Sequence, residues 1–186
     1  STQGSFDFTA GADGIKSIII DNQADVLDSL SSGNEALKWS DDSPAQSGTQ
    51  FTYTAQTASG ENVFTMVFDT ASKTYQFTLI KALDHPTGDG QNSLEIGFEI
   101  SVVDFDNDKS PSLPLDITVI DDIPTINTVE HLGVNEDDLS DGSSPNTAEL
   151  TDSGQFGTTQ GADSVVKYTL ESTVDPVAGL KSGGVD

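Results

Sequence analysis

The sequence predicts an all-β chain built as an antiparallel β-sandwich, followed by part of a second repeat. Three observations carry that expectation. Large apolar and small polar residues alternate with period two through most of the chain. Turn-forming residues recur between the alternating runs. No stretch holds a helical period over several turns.

The strands follow in order. Phe6 and Phe8, then Ile18, Ile19 and Ile20, mark early strands. The runs 51–55 (Phe-Thr-Tyr-Thr-Ala), 62–68 (Asn-Val-Phe-Thr-Met-Val-Phe) and 74–79 (Thr-Tyr-Gln-Phe-Thr-Leu) have the pattern of half-buried strands. The run 94–102 alternates most regularly, with Leu94, Ile96, Phe98, Ile100 and Val102 on one face, and 113–119 continues in the same style. Turns are expected at 59–62 (Ser-Gly-Glu-Asn), 69–73 (Asp-Thr-Ala-Ser-Lys) and 88–90 (Gly-Asp-Gly). A helical turn is placed between Ala24 and Leu37.

The chain has 186 residues, of which 34% are hydrophobic, enough for one good core or two small ones. No apolar run approaches the roughly 18 residues of a membrane span, and no secretory signal is visible. The beginning at Ser1-Thr2-Gln3 reads as a piece of a longer protein. There are 31 acidic residues against seven lysines, with no arginine, giving a net charge of −24. Almost nothing is available to neutralise phosphates, so nucleic acid is not expected as a partner, and membrane insertion is not expected either. Such a charge repels itself and calls for counterions, of which divalent cations are the most effective. The absence of cysteine excludes disulfides, thiolate zinc sites and cysteine nucleophiles. Two histidines far apart in sequence, His85 and His131, do not make a zinc site.

The chain also repeats itself. With an offset of 150 residues, Gly4, Phe6, Thr9, Gly11, Ala12, Asp13, Asp25, Leu30, Ser32 and Gly33 fall on Gly154, Phe156, Thr159, Gly161, Ala162, Asp163, Asp175, Leu180, Ser182 and Gly183. That is ten identities in 36 ungapped positions, where chance gives about two or three. Residues 1–126 are therefore expected to form one module that lacks its opening segment. Residues 127–186 are expected to open the next and to pack against the first, with the boundary near Ile123-Pro124-Thr125.

Two acidic clusters interrupt this β pattern. Asp104, Asp106 and Asp108 stand at every second position after a strand. They read either as a solvated acidic turn or as a calcium loop, since calcium takes six to eight oxygen ligands and one short segment can supply several. Asp121 and Asp122 end one module, while Glu136, Asp137 and Asp138 open the next. These five could share cations across the junction and stiffen it, or could form an ordinary acidic linker.

Several motifs, taken in order, resemble a known family. The run 74–86, from Thr74 through Leu83-Asp84-His85-Pro86, is similar to a tyrosine strand followed by Leu-Asp-His-Pro in the long tandem repeats of giant type I-secreted RTX adhesins. Asp104-Phe105-Asp106-Asn107-Asp108 sits where that family has an aspartate-rich DGDGD loop, although Asn107 and Lys109 depart from the usual glycine and small residue. The stretch 119–124 (Val-Ile-Asp-Asp-Ile-Pro) resembles the end of a repeat, and 134–143, with Asn135, Glu136, Asp137 and Asp138 before Asp141-Gly142-Ser143, the opening of the next. The resemblance implies an immunoglobulin- or cadherin-like extender module, stabilised by Ca2+ and lying outside the cell on a bacterial surface. It would have neighbouring repeat modules as partners and serve cell adhesion and biofilm formation. Host or microbial surface ligands would be met through adjacent domains. No Gly-Gly-x-Gly-x-Asp nonapeptide is present.

Other residues carry less. Asp84-His85-Pro86 reads as a turn rather than a catalytic or metal site. Trp39, Tyr53 and Tyr75 read as core packing rather than a sugar platform. Asp41 and Asp42 are adjacent and point apart, which does not suit paired carboxylate chemistry. No catalytic arrangement is expected. The alternative function is a recognition module, or a split host domain carrying an inserted sugar- or peptide-binding domain.

Overall fold

The computed structural model describes residues 1–86, 88, 90–162 and 167–169. It is all-β, with one helical turn at Gln23–Val26 (α1) and two 3₁₀ turns at Glu136–Asp138 and Thr147–Glu149 among the described residues. The chain divides into two compact units, Ser1–Ile123 and a second beginning at Pro124. In the comparison at an offset of 150 residues, Asp163, Asp175, Leu180, Ser182 and Gly183 lie outside the described residues.

The first unit holds ten strands: β1 (Thr2–Ser5), β2 (Ile15–Ile20), β3 (Ser31–Ser32), β4 (Glu35–Trp39), β5 (Ala45–Ser47), β6 (Gln50–Thr57), β7 (Asn62–Asp69), β8 (Thr74–Leu79), β9 (Ser93–Asp104) and β10 (Leu113–Ile120). A seven-stranded antiparallel sheet runs β1-β8-β7-β6-β4-β3, with β5 also paired to β6. A three-stranded sheet runs β10-β9-β2. Their inner faces supply one core. Phe51, Tyr53, Phe64, Met66 and Phe68 come from the larger sheet, and Ile18, Ile20, Ile96, Phe98 and Ile117 from the smaller. The alternation in β6 is complete, with Phe51, Tyr53, Ala55 and Thr57 all buried.

Tyr53 joins the two layers. Its hydroxyl donates to the Ile18 carbonyl at 3.1 Å and accepts from the Ile20 N–H at 3.4 Å, and burial pushes the phenol pKa up. Trp39 and Phe68 stand edge-on to its ring, with centroids 5.5 and 6.4 Å away. The Trp39 indole N–H donates to the Gln23 carbonyl at 2.9 Å, which ties α1 to β4. Trp39 and Tyr53 thus serve packing.

Asp84 has a structural task. Its carboxylate oxygens accept from the N–H groups of Gly33 and Asn34, each at 2.8 Å. Both residues are left-handed, at φ 61° and 64°, and form the two-residue turn between β3 and β4. Burial pulls the Asp84 pKa upwards, but hydrogen bonds from Ser31, Asn34 and Gly33 outweigh it and hold the carboxyl below its ordinary value. His85 Nδ1 is bonded to Asn92 Oδ1 at 2.9 Å.

The sequence places strand at Phe6 and Phe8, whereas β1 stops at Ser5. Phe6 gives its N–H to Lys73 O at 3.1 Å, and the Asp7, Phe8 and Thr9 N–H groups make no backbone bond among the described residues. Beside them the sandwich is open. A groove of about 550 Å³ runs between Phe6–Thr9 and the start of β10, floored by Ile100, Val102 and Tyr75.

In the second unit, β11 (Thr125–Val129) pairs antiparallel with β12 (Phe156–Thr159), with a bulge between Ile126 and Thr128. A loop carrying both 3₁₀ turns joins them. All five β11 residues are exposed.

Candidate metal centre

β9 is twelve residues long and paired on both edges, to β10 from Ser93 and to β2 up to Asp104. This fixed strand delivers Asp104 to the end of the small sheet. There the chain reverses through Phe105–Asp108 and returns as Lys109, which bridges to Val103. The Asp104 N–H donates to the Asp108 carbonyl at 3.1 Å, and the Asp108 N–H donates to Asp104 Oδ1 at 2.8 Å. Asn107 adopts φ 74° and gives its N–H to the Asp104 carbonyl at 3.3 Å.

The turn, rather than an extended backbone, gathers the aspartates. One carboxylate oxygen each from Asp104, Asp106 and Asp108 lies within 4.8 Å of the others. Asp104 is half-buried and the other two are exposed. A hydrogen bond shared with the Asp106 carboxyl, together with the Asp108 N–H, holds Asp104 below its ordinary pKa against a smaller opposing effect of burial. The same bond and the negative charges of Asp104 and Asp108 push Asp106 up. Three oxygens at this spacing fit a hard divalent cation that completes its shell with water.

Both departures from the aspartate-glycine pattern are accommodated. Asn107 takes the left-handed conformation that glycine would take, which asparagine tolerates better than most residues. Its side-chain oxygen accepts from Lys16 Nζ at 2.5 Å. Lys109 does not bind the aspartates of the turn; its Nζ lies 2.5 Å from Asp21 Oδ1, which also accepts from the Ser101 hydroxyl. The two lysines buttress the turn from outside, and nothing in the local sequence announced that Lys16 and Asp21 on the β2 side would reach it.

Asp121 and Asp122 follow β10. The Asp121 N–H donates to Asn92 O at 2.8 Å, which puts them beside the start of β9, at the far end of the ladder from Asp104. Eleven residues of strand at about 3.3 Å each separate the two ends by roughly 35 Å, so Asp121 and Asp122 cannot share an ion with Asp104, Asp106 and Asp108.

Glu136, Asp137 and Asp138 form a 3₁₀ turn in the second unit. The Asp137 and Asp138 carbonyls accept from the N–H groups of Ser144 and Asn146, both at 3.0 Å. Gly142 lies so close to the Asp137 carbonyl that a Cβ there would come within 2.3 Å of it. Asp138 is 9% exposed, and Asp137 Oδ1 is buried without a hydrogen-bond partner among the described residues. A buried carboxylate oxygen left bare lacks the hydrogen bond that normally offsets its loss of water. Among the described residues, Asp104, Asp106 and Asp108 form the one group of three or more close metal-ligating side chains.

No helix among the described residues is long and apolar enough to cross a membrane. Comparison with protein-family models, with curated proteins and with solved structures gives no match.

Proposed function

We propose that this chain is a calcium-stabilised extender module of a bacterial surface adhesin of the type I-secreted RTX class, non-catalytic and extracellular. In that role it spaces ligand-binding domains away from the cell for adhesion and biofilm formation. The observation that carries the reading is the convergence of Asp104, Asp106 and Asp108 on a turn at the end of a rigid sandwich. Bound calcium would neutralise three mutually repelling carboxylates there. The motifs shared in order with RTX adhesin repeats, the 150-residue repeat and the net charge of −24 support it further.

The test is thermal unfolding with calcium and with excess chelator. Calcium is expected to raise the Tm by several degrees or more, and Asp106→Asn with Asp108→Asn to remove most of that rise. An unchanged Tm in both the unsubstituted and the substituted chain would sink the proposal.

One observation favours a second reading, recognition of a sugar or peptide through the ion. The Phe105 ring stands in the same turn and is 65% exposed. Under the extender reading, Phe105→Ala leaves the calcium effect intact and changes nothing else. Under the recognition reading, a glycan or peptide array probed in calcium gives binding that Phe105→Ala removes.

A further inference from the structure

The bare edge of the first unit has a counterpart in the second unit, and there it is paired. Phe156 and Thr159 are the repeat equivalents of Phe6 and Thr9. Phe156–Thr159 forms a ladder with β11, with Val129 opposite Phe156, Thr128 opposite Gly157, Ile126 opposite Thr158 and Thr125 opposite Thr159. The Asn127 amide adds a bond to the Thr159 hydroxyl at 2.7 Å. In the first unit, the N–H groups of Asp7, Phe8 and Thr9 lack backbone partners among the described residues, and the apolar groove lies beside them. β11 reaches its partner from earlier in the same chain, across residues 130–155. The same offset of 150 residues carries the equivalent strand for Phe6–Thr9 to a position ahead of Ser1.

We propose that the strand closing the groove comes from the same chain. Each repeat opens with a strand of the β11 type, which pairs with the edge at Phe6–Thr9 and seals the sandwich of its own module. Residues directly opposite in an antiparallel ladder share a face. Val129 and Ile126 would therefore stand on the face of Phe6 and Phe8, which lines the groove. In the second unit these two side chains are 70% and 63% exposed. In the groove they would lie over Tyr75, Ile100 and Val102, so the gain is apolar. The ladder forms on the Phe6–Thr9 side, because β10 on the opposite wall carries Pro114, which has no N–H to give. The module so defined starts at Pro124 rather than at the equivalent of residue 1. Only residues 121–124, two of them aspartates, then separate β10 of one module from the opening strand of the next.

The chain carries the sequence needed for the test. Residues 124–150 are placed a second time directly ahead of Ser1 of the full chain, which reproduces the step from Leu150 to Thr151 in the repeat. One side chain must be trimmed. Asp7 stands where the repeat has Gly157, and a Cβ at Gly157 would come within 2.7 Å of Thr128 Oγ1 but 4.0 Å from Thr128 Cβ. The grafted segment therefore carries Thr128→Ala. In excess chelator, so that calcium plays no part, the graft is expected to raise the Tm by several degrees. Ile126→Asp with Val129→Asp in the grafted segment is expected to remove that rise. The chain has no cysteine, so a designed pair reports the register without background. Thr125→Cys in the grafted segment with Thr9→Cys is expected to close a disulfide within one monomer. A graft that leaves the Tm unchanged and its cysteines free overturns the proposal. So does a disulfide that joins two molecules, which would make the groove a contact between copies.

Discussion

The ion binding proposed above would turn on one residue, Asp106. Its carboxyl is pushed above the ordinary aspartate value of 3.8 by the bond to Asp104 and by the charges of Asp104 and Asp108, while Asp104 is held below that value. A carboxyl raised in the folded state favours folding at low pH, and that contribution is lost as the pH rises through the raised value. Without a cation, ionising Asp106 therefore weakens the fold; with one, the carboxylate becomes a ligand and the proton a competitor. The calcium-induced rise in Tm should consequently begin to shrink at a pH above 3.8 as the solution is acidified. In Asp106→Asn the remaining rise should be smaller and persist to lower pH, where Asp104 titrates. A calcium effect that stays constant down through pH 3.8 would show that Asp106 is not a ligand.

At the scale of the element, the hairpin from β9 to β10 depends on a single left-handed residue. Asn107 at φ 74° closes the turn, and a β-branched side chain there is strained. Asn107→Val is expected to cost about 1–3 kcal/mol in denaturant unfolding and to loosen the aspartate cluster. Asn107→Gly should be close to neutral, because glycine takes this conformation freely. Equal losses in both would mean that the Lys16 hydrogen bond, not the backbone, holds the turn.

The strands themselves were legible in the sequence wherever one face is buried. The runs at 51–55, 62–68, 74–79, 94–102 and 113–119 all fall within strands, because period-two burial leaves its mark residue by residue. β3 and β5, at two and three residues, are too short to carry a period. The helical turn placed within 24–37 is confined to α1 at its start; a turn follows at 27–29, and then the short strands β3 and β4. Phe6 and Phe8 read as strand because they alternate, but they line a groove outside any ladder. The aspartate turn was legible as a cluster. Its buttresses were not, since Lys16 and Asn107 lie 91 positions apart in the chain and meet only through the β2–β9 ladder.

For the whole molecule, charge sets the conditions of stability. With 31 acidic residues and seven lysines, the folded chain brings together like charges that the unfolded chain keeps apart. Among the described residues three salt bridges offset this, Lys73–Asp7, Lys81–Glu61 and Lys109–Asp21. In the presence of chelator, sodium chloride is therefore expected to raise the Tm steadily from low ionic strength to physiological levels, by screening alone. Calcium should do more at far lower concentration if it occupies a defined site. Equal effects of the two salts at equal ionic strength would reduce calcium to a counterion.

The path of β2 also governs when the fold can form. β6, β7 and β8 are consecutive and can pair as soon as they exist, whereas Ile18 of β2 must find Val102 of β9, more than eighty residues along the chain. Closing so long a loop is slow compared with a hairpin. A chain that has only partly emerged from a ribosome or a pore can hold the meander but not the closed sandwich. Lys16, and Asp21 with its grip on Lys109, belong to that late step. The Lys16 and Lys109 contacts that brace the aspartate turn thus wait on the β2–β9 pairing, and an ion that grips the turn would favour molecules in which that pairing has closed.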